Sequence, residues 1–144
     1  MSPRNILLVE DNPDDEELTK IALRKAKISN EIDVAHDGAE ALDYLFGRGA
    51  FAGKAHTPQV VFLDLKLPKV DGLEVLKQIR LNEKTRLLPV VILTSSKEEK
   101  DLIAGYRNGA NSYIVKPVDF EEFMNSVQQL GNYWLLTNEA VPNV

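Results

Sequence analysis

Four short runs of uncharged, mostly apolar residues constrain the fold of this 144-residue chain more than any other feature. They are residues 6–9, 60–63, 90–93 and 113–115. A strand with one face in water alternates apolar and polar side chains, whereas these runs are largely apolar on both faces. Such runs are typical of parallel strands that helices cover on both sides. They therefore predict an α/β protein with a buried parallel sheet.

Helical patterns alternate with these runs, and residues 31–35 predict one further strand. Helix-capping residues begin the helical segments, and glycines end two of them: Asn12, Asp37, Asp71, Asp119 and a capping box at Ser96 begin helices, and Gly47 and Gly109 end them. With right-handed crossovers, the order βαβαβαβαβα predicts a doubly wound, flavodoxin-like sheet of five parallel strands, ordered 2-1-3-4-5. We expect one domain over residues 1–144, with an extended C-terminal helix and short tail over about 131–144.

Composition excludes several kinds of partner and site. The net charge of −5 argues against a general nucleic-acid surface. The chain has no cysteine, which excludes disulfides, thiolate metal sites and thiol nucleophiles. No run approaches the ~20 apolar residues of a membrane span, and no signal peptide precedes the first strand. We therefore expect a cytoplasmic protein that binds neither nucleic acid nor membrane.

Residues with useful chemistry follow each of the four runs. Glu10 and Asp11 follow the first run, Asp64 the second, Thr94 the third and Lys116 the fourth. In an open α/β sheet, ligands bind beyond the carboxyl ends of the strands, so these side chains should lie at one edge. Crowded carboxylates raise one another's proton affinity, and a divalent cation relieves that conflict. Oxygen ligands with open water positions favour Mg²⁺.

The same edge has the groups needed for phosphoryl transfer. A carboxylate such as Asp64 can form a covalent aspartyl-phosphate. Mg²⁺ and Lys116 would neutralise the phosphoryl charge, and the Thr94 hydroxyl would bind another of its oxygens. Taken alone, Asp64, Thr94 and Lys116 are each more often structural than functional, and the Glu10-Asp11 pair is about equally often either. Their occurrence together at four strand ends of one topology favours the functional interpretation.

Short motifs around these residues resemble the response-regulator receiver domain family. The motifs are LVEDN at 8–12, FLDLKLP at 62–68 before Asp71-Gly72, LTSS at 93–96 and YIVKP at 113–117, and the resemblance covers about residues 4–130. It implies that Asp64 is the phosphoacceptor. It also implies that Glu10, Asp11, Asp64 and the backbone carbonyl of Lys66 hold Mg²⁺, although many members have Asp where Glu10 stands. Thr94 and Lys116 would contact the phosphoryl group.

The resemblance further implies a conformational switch and a kinase partner. Tyr113 would turn inward when Thr94 moves, and the Lys116–Pro117 bond would be cis. Residues 44–49 and 130–134 resemble, more narrowly, the single-domain response regulators paired with phytochrome-type histidine kinases. The implied function is a signalling protein of a two-component phosphorelay, not a classical enzyme. It would take its phosphoryl group from a histidine kinase and act on an unknown downstream protein.

Other classes of protein fit the motifs less well. A P-loop ATPase needs G-x-x-x-x-G-K-[ST] after a strand, which this sequence lacks. A haloacid dehalogenase phosphatase needs a second Asp two residues after the nucleophile, where this chain has Lys66. The alternative that stays open is a receiver-like interaction scaffold that is not phosphorylated. Such a scaffold would usually have lost one of the site residues.

An apolar stripe along the last helix predicts a homodimer. Its residues recur at 3-4-3-4 spacing from Phe120 to Trp134, and the apolar cluster 133–136 continues past the expected end of the sheet. We expect most of the stripe up to Leu130 to pack on the chain's own sheet. The apolar surface left uncovered over 133–136 marks an interaction site, for a second copy of the chain or, as the competing interpretation, for a kinase or output partner. The candidate interface residues are Phe123, Val127, Leu130, Tyr133, Trp134 and Leu136.

Overall fold

The computed structural model describes residues 4–53 and 56–142. Its five strands are β1 Ile6–Val9, β2 Ile32–Ala35, β3 Val60–Leu63, β4 Val90–Thr94 and β5 Ser112–Val115. They form one parallel sheet in the order β2-β1-β3-β4-β5, which confirms the predicted fold. The predicted domain limits of 1 and 144, the end of the tail, and residues 54–55 of the loop after residue 47 lie outside the described residues.

Five helices connect and cover the strands. They are α1 Pro13–Lys25, α2 Gly38–Phe46, α3 Gly72–Leu81, α4 Glu99–Arg107 and α5 Phe120–Gly131. A 3₁₀ turn, Gly49–Phe51, follows α2, and a π-helical segment, Asn132–Thr137, continues α5. In the described part of the chain, no helix is long and apolar enough to cross a membrane.

Successive strand residues face opposite layers, which explains why the strands are apolar on both faces. In β1, Leu7 and Val9 point into the layer shared with α2 and α3, and Ile6 and Leu8 into the layer shared with α1 and α5. A side-chain period of two in a strand places neighbouring residues on opposite faces. Apolar layers therefore cover both faces of the sheet, which leaves the ends of its strands for polar side chains.

Most predicted helix starts are confirmed. The Asn12 carboxamide oxygen accepts the Asp14 and Asp15 backbone N–H groups at 2.9 and 3.1 Å. Asp37, Asp71 and Asp119 each accept the backbone N–H three residues later. The capping box at Ser96 is wrong, because α4 begins only at Glu99 and its N-cap, Glu98, makes no side-chain cap bond. The Ser96 hydroxyl accepts the Glu98 backbone N–H at 3.4 Å, before the helix begins, and donates to the Asp101 carboxylate at 2.6 Å.

The structure corrects part of the proposed interface. Phe123 and Val127 are only 3% and 1% exposed, because the apolar stripe of α5 packs on α1 and the sheet. These two side chains are unavailable to a partner. Leu130 and Trp134 are partly buried against the same layer. Tyr133 and Leu136, in the π-helical segment, are 51% and 64% exposed.

The Lys116–Pro117 peptide bond also differs from its expectation. The described residues contain no cis peptide bond, so this bond is trans and the prediction of a cis bond is wrong. The trans isomer is the intrinsically preferred one even before proline. Lys116 nevertheless reaches the polar edge of the sheet.

Candidate functional site

The predicted site residues meet at the carboxyl edge of the sheet. Glu10, Asp64 and Lys116 each follow directly after a strand, and Thr94 is the last residue of β4. All four are buried, in contrast to Asp11, which is exposed beside them. The start of α3 lies close against the residues after β3, because a Cβ at Gly72 would collide with the Asp64 carbonyl oxygen. The Asp71-Gly72 pair therefore allows the tight loop that positions Asp64.

The Lys116 ammonium binds three carboxylates. Its Nζ lies 2.6 Å from Glu10 Oε1, 2.8 Å from Asp15 Oδ2 and 3.0 Å from Asp64 Oδ2. Burial alone would lower the pKa of Lys116. The hydrogen bonds to Asp15 and Glu10 outweigh burial and raise this pKa above its usual range. Lys116 is therefore a firmly charged ammonium in a mostly water-excluded position.

Asp15 is the site residue that the sequence analysis missed. It lies among the acidic residues in the first turn of α1, a position that by itself indicates only a favourable charge at a helix start. Helix α1 begins at the same edge of the sheet as the strand ends, so its first turn faces the site. The available signal was its place in the first turn of a helix that begins two residues after Asp11.

Three carboxylates form a second cluster, which we call the acidic group. One oxygen each of Glu10, Asp11 and Asp64 lies within 4.8 Å of the others. Burial raises the pKa of Glu10 to about 7, although its bond to Lys116 acts in the opposite direction. Clustered carboxylate oxygens, one of them open to water, are the donors that Mg²⁺ prefers. The donor set therefore fits a hard divalent cation.

Lys66 has two different contacts at this edge. Its backbone N–H donates to Asp64 Oδ1 at 3.3 Å. Its ammonium lies 3.6 Å from Asp101 Oδ2 at the start of α4, not on Asp64. The role of its carbonyl as a metal ligand stays a prediction.

Ser96 connects the predicted switch residues. Its backbone N–H donates to Thr94 Oγ1 at 3.4 Å, and its carbonyl accepts the Tyr113 hydroxyl at 3.1 Å. Its own hydroxyl donates to Asp101, and this bond, with help from Lys66, lowers the pKa of Asp101. Sequence analysis assigned Ser96 only a capping role. A displacement of Thr94 would therefore act directly on the residue that holds Tyr113 and the start of α4.

Comparisons with known proteins agree with this geometry. The family profile described as the response regulator receiver domain matches residues 6–128. A relative from Methanothrix harundinacea, the probable methanogenesis regulatory protein FilR2, is 44% identical over 138 residues, which cover 96% of this chain and 88% of FilR2.

Two solved structures are similar over nearly their whole length. The Mn²⁺-bound form of response regulator Rcp1 superposes with a TM-score of 0.92 at 36% identity, covering 97% of this chain and all of Rcp1. The bacteriophytochrome response regulator AtBRR has a TM-score of 0.76 at 53% identity, covering 96% of this chain and all of AtBRR. Sheet order, site and profile lead to the same conclusion: this chain belongs to the response regulator receiver domain family.

Proposed function

We propose that Asp64 accepts a phosphoryl group from a histidine kinase in a reaction that requires Mg²⁺. The observation that carries this proposal is the pairing of Asp64 with Lys116 at 3.0 Å, beside the acidic group. The proposal is supported because a carboxylate, a charged ammonium and a set of hard oxygen donors lie side by side at this edge of the sheet. The similarity to a bacteriophytochrome response regulator supports a phytochrome-type kinase as the donor.

Each site residue of this chain would have a different role in phosphoryl transfer. A carboxylate oxygen of Asp64 forms the new bond to phosphorus, and the bond from phosphorus to the kinase imidazole breaks, leaving the electron pair on that nitrogen. Glu10, Asp11 and Asp64 would hold Mg²⁺, which supplies positive charge to the phosphoryl oxygens. Lys116 supplies the second positive charge, and the buried Thr94 hydroxyl supplies a hydrogen bond.

The proposed output is a shift between two packings of one fold. Thr94 bonds to the phosphoryl group and releases the Ser96 N–H, and Tyr113 and α4 follow because Ser96 holds them both. The altered surface then binds a downstream protein. We place this signalling in the cytoplasm, where a histidine kinase presents its phosphoryl group.

Phosphotransfer with residue mapping tests the proposal. Incubation with a phosphorylated histidine kinase and Mg²⁺ should label wild-type protein and the Asp14→Asn control, whose carboxylate is exposed. Asp64→Asn should not be labelled, and chelator should prevent labelling of wild type. Labelling of Asp64→Asn at the wild-type level contradicts the assignment. A wild-type chain that no kinase labels would favour the unphosphorylated scaffold.

We further propose that the exposed part of the π-helical segment forms a homodimer contact. Tyr133 and Leu136 are exposed, and the Tyr133 ring packs edge-on against Trp134 with centroids 5.1 Å apart. Aromatic side chains are favoured anchors at protein interfaces. Leu130 would border this contact.

Sedimentation tests the dimer. Wild type and Gln78→Glu, a charge-matched control on α3, should sediment as dimers, and Leu136→Glu should sediment as a monomer. A monomeric wild type at tens of micromolar, both with and without phosphorylation, would rule the dimer out.

A further inference from the structure

Lys116 and a metal ion would compete for the same carboxylates. The ammonium has three N–H donors, and carboxylates of Glu10, Asp15 and Asp64 accept all of them. Two of these carboxylates, Glu10 and Asp64, also belong to the acidic group. A divalent ion on these carboxylates would repel the ammonium and so weaken its bonds to Glu10 and Asp64.

Asp15 differs from the other two partners of Lys116. It is not part of the acidic group as the described residues define it. Its backbone is held by the first turn of α1, since its N–H bonds to the Asn12 cap at 3.1 Å and its carbonyl accepts the Thr19 hydroxyl at 2.7 Å. These bonds hold the backbone of Asp15 in place beside Lys116. Its carboxylate would remain available to Lys116 when a metal ion occupies the acidic group.

We propose that Asp15 is a positioning residue that retains the Lys116 ammonium when Mg²⁺ takes over Glu10 and Asp64. This inference rests on the proposed function of the acidic group. An unpaired ammonium in a buried position is costly, so an ammonium without Asp15 stays on Glu10 and Asp64 and opposes the metal. With Asp15 present, Lys116 keeps one charged partner throughout and remains beside Asp64, where the phosphoryl group would arrive.

The neighbouring Asp14 separates this role from a simple effect of charge. Both aspartates lie in the first turn of α1, and their backbone N–H groups bond to the same Asn12 oxygen. Lys116 bonds to the Asp15 carboxylate, whereas the Asp14 side chain is exposed. Replacing either by Asn removes one negative charge from the same turn, but only Asp15→Asn removes a partner of Lys116.

Isothermal titration calorimetry with Mg²⁺ and the unphosphorylated protein tests the inference, because it measures the dissociation constant for Mg²⁺ directly. We expect Asp15→Asn to raise the dissociation constant for Mg²⁺ ~10-fold or more, as loss of a residue that orients a metal site usually does. Asp14→Asn should stay within about twofold of wild type, because an exposed charge near the surface is screened. Far-UV circular dichroism should give the wild-type spectrum for each variant, which would show that the variant is folded.

A Lys116→Met background completes the test. There the dissociation constant should change no more for Asp15→Asn than for Asp14→Asn, because no ammonium is left to retain. Equal effects of Asp15→Asn and Asp14→Asn in the wild-type background overturn the inference and leave the proposed function standing. A wild type that binds no Mg²⁺ overturns both. An effect of Asp15→Asn that persists undiminished without Lys116 also overturns the inference.

Discussion

Two cationic side chains, one at each edge of the sheet, are held by different kinds of oxygen. The Lys116 ammonium, at the carboxyl edge, bonds to three carboxylates. Arg80, near the end of α3 at the amino edge, donates to the backbone carbonyls of Gly109, Arg86 and Leu88 and to the Asn111 side-chain oxygen, at 2.7–3.1 Å. Both side chains lie at the point where several loops meet, yet within residues 4–53 and 56–142 only Lys116 has ionised partners.

The difference shows which edge can respond to a signal. A carboxylate can take up a proton, a metal ion or a phosphoryl group, and each of these changes its hold on an ammonium. A backbone carbonyl can bind a metal ion, but it carries no net charge and takes up neither a proton nor a phosphoryl group near neutral pH. Arg80 also binds Asn111, whose side-chain oxygen accepts the Val90 N–H at 2.8 Å, so it ties α3 to the starts of β4 and β5. We infer that Arg80 is a static tie, meaning that its bonds stay the same when the protein binds a ligand. Lys116 is an exchangeable tie, meaning that its carboxylate partners change when they bind a proton, a metal ion or a phosphoryl group.

The largest expected difference between the two edges is in the effect of removing Lys116 or Arg80 on the free energy of unfolding. In Mg²⁺-free buffer at pH 8, Lys116→Met should lower the free energy of unfolding by about 3–5 kcal/mol, because it leaves buried carboxylates without their counter-charge. Saturating Mg²⁺ should restore much of this loss by supplying positive charge. Urea unfolding with and without Mg²⁺ measures both effects.

Arg80→Met is the matched comparison at the other edge. It should cost about 2–3 kcal/mol, because carbonyl oxygens lose charged donors, and Mg²⁺ should restore none of that difference from wild type. Rescue of both variants by Mg²⁺, or of neither, would contradict the distinction between an exchangeable and a static tie.

The pH dependence of stability should come from the carboxyl edge. Burial raises the pKa of Glu10 from 4.5 to about 7, so without metal the folded state binds this proton more tightly than the unfolded chain does. The resulting stability is fully present below about pH 4.5 and is lost as the pH rises to about 7. Glu10→Gln should remove this pH dependence. Over that pH range the free energy of unfolding should otherwise fall by a total on the order of 3 kcal/mol.

Glu16→Gln is the control for that pH dependence. Hydrogen bonding to Lys20 lowers the pKa of Glu16, so its contribution is present above its ordinary pKa and is lost as the pH falls. Urea unfolding between pH 4.5 and 7.5 should therefore show a pH dependence that Glu10→Gln removes and Glu16→Gln leaves unchanged, because the Glu16 contribution changes only below that range. An unchanged slope in Glu10→Gln would mean that another group is responsible.

The smallest effect should come from Lys66, a third cation near the same edge. Its side chain is 64% exposed and lies 3.6 Å from Asp101, so Lys66→Met should change the free energy of unfolding by less than about 1 kcal/mol.

Ser96→Ala is the comparison for Lys66→Met, because Ser96 binds the same Asp101 carboxylate. It should lower the free energy of unfolding by about 1–2 kcal/mol, because it removes a buried hydrogen bond. A loss in Lys66→Met as large as that in Arg80→Met would make Lys66 a structural tie of its own.

The sequence by itself determined the sheet and the position of most site residues. Strand runs, caps and crossover handedness are local or topological properties, and together they place the residues after β1, β3, β4 and β5 at one edge. Glu10, Asp64, Thr94 and Lys116 could therefore be brought together without knowledge of any tertiary contact. Their proposed roles in phosphorylation still depend on the experiments above.

Tertiary structure alone decided which partner each side chain has. A 3-4 apolar spacing shows that α5 has an apolar face, but only the docking of α1 and the sheet buries Phe123 and Val127 within the chain. Likewise, nothing local to the first turn of α1 states that Asp15 faces Lys116, which is 101 residues away along the chain. Periodicity reports the direction of a side chain relative to its own helix. The identity of its partner depends on where distant helices and strands are placed, which local patterns do not encode.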